Sequence, residues 1–172
     1  HRGSILGDVD GDQPAQKGFE TALVQALNGL DPARPVLVEA ESARIGEVRL
    51  PPALWAAMKG SPRIVVEAPV EARARFLATE YADLAADTSA LIERLNGLRA
   101  FAGHEVVDHW LALLAEGRLV ALAEALVRDH YDPAYGRLRR ADEGRVTARV
   151  TLDDLTPGAL RDAAAQIVAR MS

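Results

Sequence analysis

Apolar residues near the start of the chain recur every three or four positions. Phe19, Leu23 and Leu27 follow this helical spacing and predict a helix that begins at Pro14 and ends at Gly29. Proline is favoured in the first turn of a helix and glycine just after the last turn, which supports both ends of the prediction.

Two short, mainly apolar runs, residues 35–40 and 63–68, are typical of strands that are buried in a parallel sheet. A helical pattern follows each run. A pair of prolines opens the first pattern, and the second extends from Pro69 to about Tyr81. Strands that alternate with helices in this order predict a parallel α/β sheet.

The middle of the chain has a different character. Three helical patterns follow one another at residues 84–98, 105–115 and 119–131. They predict a helical insertion or cap.

The last part of the chain returns to a strand pattern. Val146, Ala148 and Val150 alternate with polar residues, as expected for a half-buried strand. Asp153 or Thr156 is in position to cap a final helix.

The predicted fold class is α/β, with a parallel sheet flanked by helices. Residues 1–83 and 132–172 are expected to form one domain, and residues 84–131 the helical insertion or cap. Three strands are few for a sheet with helices on both faces. We therefore expect an incomplete sheet that lacks its first strand and helix, in agreement with a chain that begins at His1.

Composition narrows the class of protein. The chain has 172 residues, 49% of them apolar, and a formal net charge of −5. These values are typical of a globular domain rather than of a disordered chain. The absence of cysteine excludes disulfides and thiol catalysis within these residues. No apolar run approaches the roughly 20 residues that a membrane span needs, so no membrane partner is expected.

Acidic residues follow the first predicted strand. Glu39 and Glu41 lie at its carboxyl end, where open α/β sheets bind their ligands. An acid at this place can hold a metal and its water or activate a nucleophile in phosphate chemistry. A solvated strand end is an equally good interpretation.

Two patterns resemble metal sites but have the wrong spacing. The aspartates of segment 8–12 do not form a calcium loop, because the twelfth position of that loop is Phe19 rather than Glu. His104 and His109 are five positions apart, so they do not share one face of a helix as zinc ligands would. We predict no metal site.

Arginines cluster in two places. In the first, Arg137, Arg139 and Arg140 form a local positive cluster that could contact an RNA backbone, although an ordinary charged surface explains it equally well. In the second, Arg73 and Arg75 lie early in the helix after the second predicted strand.

The two helix arginines could clamp phosphate oxygens through bidentate contacts. The alternative is a solvated helix face on which Arg73 and Arg75 pair with Glu71 or Glu80. The chain contains no GxxxxGK[ST] loop, so its own residues offer no glycine-rich phosphate cradle.

Two longer runs are more specific. HRGSILG at residues 1–7 is followed by QPAQKGFE at 13–20, and VEAESARIG at 38–46 is followed by Leu50-Pro51 and Met58. Together they resemble the tRNA 2-selenouridine synthase family, whose members join an N-terminal rhodanese module to a C-terminal P-loop module. The similarity covers about half of the chain.

The resemblance implies an incomplete P-loop NTPase-like sheet whose Walker A loop precedes residue 1. It also implies that the catalytic cysteine lies in the rhodanese module, so this chain holds no catalytic residue and is expected to be inactive alone. A nucleotide or geranyl diphosphate with Mg²⁺ would bind at the P-loop outside this chain, and no cofactor is firmly implied within it.

The resemblance further implies a bacterial, cytoplasmic selenium transferase. Enzymes of the family that it resembles replace sulfur by selenium at wobble 2-thiouridine of tRNA, with selenophosphate as the donor and a geranylated tRNA as the intermediate. The implied partners are tRNA, selenophosphate, geranyl diphosphate and the rhodanese module.

The resemblance places phosphate, nucleotide or tRNA contacts on both runs, and position and charge add the two helix arginines. These residues are His1, Arg2, Gly3, Ser4, Gln13, Gln16, Lys17, Glu39, Glu41, Ser42, Arg44, Gly46, Arg73 and Arg75. Gln16 and Lys17 lie on the first turn of a predicted helix, whose N-terminus favours anions. Arg44 and Gly46 lie in a tight segment that could approach a ligand closely.

Two other functions remain open from the residues alone. One is a nucleotide-binding or small-molecule kinase-like P-loop protein that does not modify tRNA. The other is a non-catalytic RNA-binding module that uses Arg137, Arg139 and Arg140.

Overall fold

The computed structural model describes residues 13–40, 42–80, 88–134, 136 and 143–171. The chain divides into two compact units, His1–Ser61 and Pro62–Ser172. The predicted bounds at residues 83 and 131 stay a prediction.

The described part of the first unit contains two helices and a small hairpin. They are α1 (Gln16–Asn28), β1 (Arg44–Ile45), β2 (Val48–Arg49) and α2 (Pro52–Gly60). Helix α1 ends before Gly29 as predicted, and it begins two residues after Pro14. Helix α2 begins at the second residue of the proline pair, where the missing N–H of proline costs no hydrogen bond.

The strand predicted at residues 35–40 is wrong. This segment has no regular secondary structure, and the side chains of Val36, Leu37 and Val38 are 49%, 56% and 57% exposed. Among the described residues, no strand pairs with the segment. An apolar run predicts burial, but a strand forms only where a neighbouring strand satisfies its backbone N–H and C=O groups. Glu39 therefore does not lie at a strand end, and Glu41 lies outside the described residues.

Strands β1 and β2 form an antiparallel hairpin in the segment that follows. Ile45 pairs with Val48 across a two-residue turn, and Gly46 at the first turn position has a φ of +59°. Such a turn needs positive φ at that position, which favours glycine. The side chain of Val48 is buried, with 2% exposure.

The second unit combines a parallel strand pair with a block of helices. Its elements are β3 (Arg63–Glu67), α3 (Val70–Glu80), α4 (Thr88–Gly97), α5 (Arg99–Ala102), α6 (His104–Ala115), α7 (Leu119–Leu126), a π-helical turn (Val127–Tyr131), a 3-10 turn (Glu143–Arg145), β4 (Val146–Thr151) and α8 (Pro157–Ala169). The sequence predicted both strands, and their parallel pairing is confirmed.

Strand β4 and helix α8 form one small core. Val150, Leu152 and Ala163 are buried there, and Ile64 of β3 packs against them. Thr156 caps α8, since its Oγ1 accepts a hydrogen bond of 3.3 Å from the N–H of Ala159. The structure thus selects Thr156 of the two predicted caps.

The three helical patterns in the middle of the chain are confirmed by α4, α6 and α7. Leu95, Val107 and Trp110 are fully buried within this block. Helix α3 packs against α7, and its Ala72 and Ala74 are buried. Small side chains at these positions allow the two helices to approach each other closely.

Candidate functional site

Two glutamines join the start of α1 to the hairpin in the first unit. The Gln13 Nε2 donates to the Ile45 carbonyl over 2.6 Å, and its Oε1 accepts from the Glu47 N–H over 2.6 Å. The Gln16 Nε2 donates to the Arg49 carbonyl over 2.8 Å, and its Oε1 accepts from the Arg49 N–H over 2.8 Å. The two sequence runs that carry the resemblance therefore meet in space.

The side-chain amide of glutamine suits this role because it carries a donor and an acceptor side by side, as a backbone edge does. Gln16 satisfies the outward-facing N–H and C=O groups of Arg49 on the open edge of β2. Its Nε2 also donates to the Glu20 carboxylate over 2.7 Å, one helical turn away. Together, Gln13 and Gln16 form a glutamine clamp on the hairpin.

Gly46 is required by the clamp as well as by the turn. A Cβ at this position would lie 2.7 Å from the Gln13 Oε1, closer than real side chains approach. The side chain of Gln13 thus lies close to the Gly46 backbone. Contact of Gly46 with a ligand stays a prediction.

The turn also orients Arg44. The Arg44 Nε donates to the Gly46 carbonyl over 2.7 Å, and its Nη2 lies 2.9 Å from the Glu47 Oε1. The Ser42 Oγ accepts a hydrogen bond of 3.0 Å from the Arg44 N–H. Lys17 follows Gln16 in the first turn of α1 and is exposed. Hydrogen bonds within the hairpin and from the start of α1 to it thus involve Gln13, Gln16, Ser42, Arg44 and Gly46.

Several predicted site residues lie outside the described part of the chain. They are His1, Arg2, Gly3, Ser4, Glu41, Arg137, Arg139 and Arg140. Their predicted roles stay predictions.

In the second unit, Arg73 makes a contact that the sequence did not indicate. Its Nη1 and Nη2 donate to the two carboxylate oxygens of Asp132 over 2.7 and 2.8 Å. The side chains of Arg73 and Asp132 are 26% and 33% exposed. The hydrogen bond to Asp132 raises the pKa of Arg73, although burial acts in the opposite direction. A phosphate would have to displace Asp132 to bind this guanidinium. The predicted contact of Arg73 with phosphate oxygens stays a prediction.

A second arginine links the same elements. The Arg128 Nη2 lies 3.1 Å from a carboxylate oxygen of Glu71 on α3 and 2.7 Å from one of Glu124 on α7. Glu71 therefore pairs with Arg128, whereas the sequence suggested a pair with Arg73 or Arg75.

The π-helical turn at 127–131 carries polar side chains against the helical core. The Trp110 Nε1 donates to the Asp129 Oδ2 over 3.4 Å, and the rings of His130 and Trp110 are nearly perpendicular, with their centroids 6.4 Å apart. Burial lowers the pKa of His130. Isolated π-turns within helices are frequent at functional sites. No spacing in the sequence could have indicated these contacts, because each depends on the packing of α6 against the turn.

The carboxyl ends of β3 and β4 carry a further group of charges. The Arg149 Nη1 donates to the Glu67 carboxylate over 3.1 Å across the strand pair. Hydrogen bonds from the hydroxyl and N–H of Thr156 lower the pKa of Asp154, and the nearby charge of Arg75 acts in the same direction. Arg75 thus lies near the edge of the sheet at which α/β proteins bind ligands.

At the start of α6, Arg99 contacts both His104 and Asp108. The Arg99 Nη1 lies 3.2 Å from the His104 Nδ1, and its Nη2 donates to the Asp108 carboxylate over 2.6 Å. Among the described residues, no group of three histidine, aspartate or glutamate side chains could hold a metal ion. Within the same residues, no helix has the length and apolar character needed to span a membrane.

The parallel strand pair flanked by helices defines a mixed α/β protein, consistent with an AAA or P-loop-like domain. Residues 1–109 match the family described as the tRNA 2-selenouridine synthase AAA domain. The chain belongs to this family, and the predicted resemblance is confirmed.

Curated relatives extend the similarity beyond residue 109. The tRNA 2-selenouridine synthase of Cupriavidus necator is 32% identical in an alignment 177 residues long, gaps included, and the alignment covers 87% of this chain and 48% of the relative. That of Alcanivorax borkumensis is 31% identical over 163 residues, with coverages of 78% and 45%. That of Psychromonas ingrahamii is 28% identical over 183 residues, with coverages of 90% and 50%.

The chain spans about half the length of these curated relatives. No solved structure matches the chain significantly.

Proposed function

We propose that this chain is the P-loop-side part of a bacterial, cytoplasmic enzyme that converts wobble 2-thiouridine of tRNA to 2-selenouridine. Selenophosphate supplies the selenium, and a geranylated tRNA made from geranyl diphosphate is the intermediate. The observation that carries the proposal is the family match over residues 1–109. The catalytic cysteine belongs to a rhodanese module, and this chain alone is inactive.

Within that enzyme, the first unit binds phosphate groups of a diphosphate ligand or of the tRNA. The glutamine clamp supports this role because its four hydrogen bonds hold the start of α1 against the hairpin in which the second run of the family pattern ends. It fixes the backbone that presents Arg44, and Lys17 follows the clamp residue Gln16. Cations on a fixed backbone lose less conformational entropy when they bind an anion.

The described residues do not by themselves fit a magnesium nucleotide. The sequence contains no glycine-rich GxxxxGK[ST] loop, and the described residues include no cluster of three metal ligands. Lys17 and Arg44 are therefore assigned only to contacts with phosphate oxygens.

The test is complementation of a bacterial strain that lacks 2-selenouridine with the complete gene of the enzyme of which this chain is proposed to be a part. Mass spectrometry of digested tRNA is expected to show 2-selenouridine when selenium is supplied and geranylated 2-thiouridine when selenium is withheld. A tRNA that keeps only 2-thiouridine would overturn the proposed function and favour a P-loop protein that does not modify tRNA.

The two lysines of the chain provide a matched pair of variants. Lys17→Gln is expected to lower the 2-selenouridine content about tenfold, which corresponds to the loss of one charge-assisted contact of about 1.4 kcal/mol. Lys59→Gln changes an exposed lysine near the end of α2 and should leave the content unchanged. Equal effects of both substitutions would contradict the assignment of Lys17.

A further inference from the structure

Arg44 and Arg49 stand directly opposite each other on the two strands of the hairpin. They form the next pair outward from the two-residue turn. In antiparallel hairpins this pair is not hydrogen-bonded, and its side chains come closest, with Cα atoms typically about 4.5 Å apart. Side chains alternate along a strand, so both arginines project from the face opposite Val48, which is buried.

Two like charges in such a pair are unfavourable. Arg44 has an internal partner in Glu47, at 2.9 Å. The Arg49 guanidinium makes no hydrogen bond or salt bridge with any residue that the structure describes. One guanidinium of the pair therefore keeps its donors available.

The backbone beneath Arg49 is held on both of its polar groups. The Gln16 amide accepts from the Arg49 N–H and donates to its carbonyl, each over 2.8 Å. The Cα of Arg49 is thus fixed, and binding would order only the side chain. The planar fork of a guanidinium matches two oxygens of a phosphate group.

We propose that Arg44 and Arg49 form a binding pair for a backbone phosphate of tRNA, in which Arg49 contributes the unpaired guanidinium. This inference rests on the proposed function. Arg44 and Arg49 are exposed on an open strand face, whereas small ligands prefer concave pockets.

The test measures the affinity of this chain for a fluorescently labelled tRNA at several salt concentrations. Arg49→Gln is expected to weaken binding about fivefold and to lower the slope of log affinity against log salt by about one. Arg34→Gln, at another exposed arginine of the first unit, is the control. It should leave the affinity and the salt slope within twofold of those of the unaltered chain. Arg49→Lys keeps the charge and should recover part of the affinity. Circular dichroism checks that each variant is folded.

Three results would overturn the inference: no tRNA binding by the unaltered chain, equal binding by the Arg49→Gln and Arg34→Gln variants, or an Arg49 effect on pyrophosphate binding alone. The last result would identify a free diphosphate as the ligand.

The complementation assay separates this inference from the proposed function. If Arg49→Gln weakens tRNA binding but the unaltered gene forms no 2-selenouridine, the proposed function fails and the phosphate contact stands. If the gene forms 2-selenouridine and Arg49→Gln binds tRNA normally, only the phosphate contact fails.

Discussion

Arg73 and Asp132 are 59 residues apart in the sequence and form an ion pair with two hydrogen bonds of 2.7 and 2.8 Å. The pair joins α3 to the residue directly after the π-helical turn. Because α3 follows the carboxyl end of β3, the ion pair links the helical block to the edge of the sheet that carries Glu67 and Arg149.

Loss of this ion pair is expected to destabilise the second unit. In a double-mutant cycle with Arg73→Ala and Asp132→Ala, we expect a coupling energy of about 1–2 kcal/mol, because charge-assisted hydrogen bonds are strong but both side chains are partly solvated. Urea unfolding measures the free energies. The Arg118–Glu116 pair is a control, since its side chains are 61% and 57% exposed, and its coupling should stay below about 0.5 kcal/mol. Equal coupling in the two cycles would contradict this prediction.

Gly46→Ala is expected to disrupt the hairpin for two separable reasons. Positive φ costs an alanine about 1–2 kcal/mol, and the added Cβ would lie 2.7 Å from the Gln13 Oε1. The Leu50 N–H, which bonds to the Ala43 carbonyl, should exchange faster with solvent. Adding Gln13→Ala to Gly46→Ala removes the close contact but not the φ cost.

Gly60→Ala is the matched control for Gly46→Ala. No atom lies within 4 Å of a Cβ at Gly60, so the stability should change by less than about 0.5 kcal/mol. Similar exchange of the Leu50 amide in both alanine variants would contradict the role assigned to Gly46.

Removal of the Gln16 amide is expected to expose the backbone of Arg49. In Gln16→Ala both hydrogen bonds to Arg49 are lost, so the Arg49 amide should exchange at least tenfold faster. Gln16→Glu keeps the acceptor but loses the donor, and it places a second carboxylate beside Glu20. It should therefore destabilise the first unit while retaining part of the Arg49 protection.

Gln25→Glu on the exposed surface of α1 controls for the added charge. If Gln16→Ala left the exchange of the Arg49 amide unchanged, the Gln16 part of the glutamine clamp would not exist in solution.

The stability of the second unit should depend on the charge of His130. Burial lowers its pKa from the ordinary value of 6.5, so the imidazolium is less favourable in the folded state than in the unfolded chain. The contribution of His130 is fully present above about pH 6.5 and decreases as the pH falls toward its folded-state pKa.

In His130→Asn the free energy of unfolding should decrease less between pH 6.5 and 5 than in the unaltered chain. Urea unfolding at each pH measures it. His109→Asn, at an exposed position of α6, is the control and should leave the slope as it is. An unchanged slope in His130→Asn would show that other groups cause the pH dependence.

Local chemistry explains which parts of the fold could be predicted. The C-terminal end of α1, the start of α2, the strands β3 and β4 and the cap of α8 depend on residues within a few positions of one another. The prediction failed at residues 35–40, where the apolar run has no described strand beside it. A run of apolar residues specifies a preference for burial, and only a neighbour in space turns that preference into a strand.

The candidate site shows the same division. Gln13, Gln16, Arg44 and Gly46 were singled out by their sequence runs, but the hydrogen bonds of the two glutamines to the hairpin span 32 to 34 positions. Asp132 and Arg49 were missed because neither has a distinctive local pattern.

The amino-acid sequence by itself determined the family, the helical periodicities and the two parallel strands, since these depend on composition and on short-range spacing. Only the tertiary structure decided that glutamine side chains clamp the hairpin and that Arg73 binds Asp132. The physical reason is that a hydrogen-bond partner is chosen by distance in space, and the folding of the whole unit sets that distance.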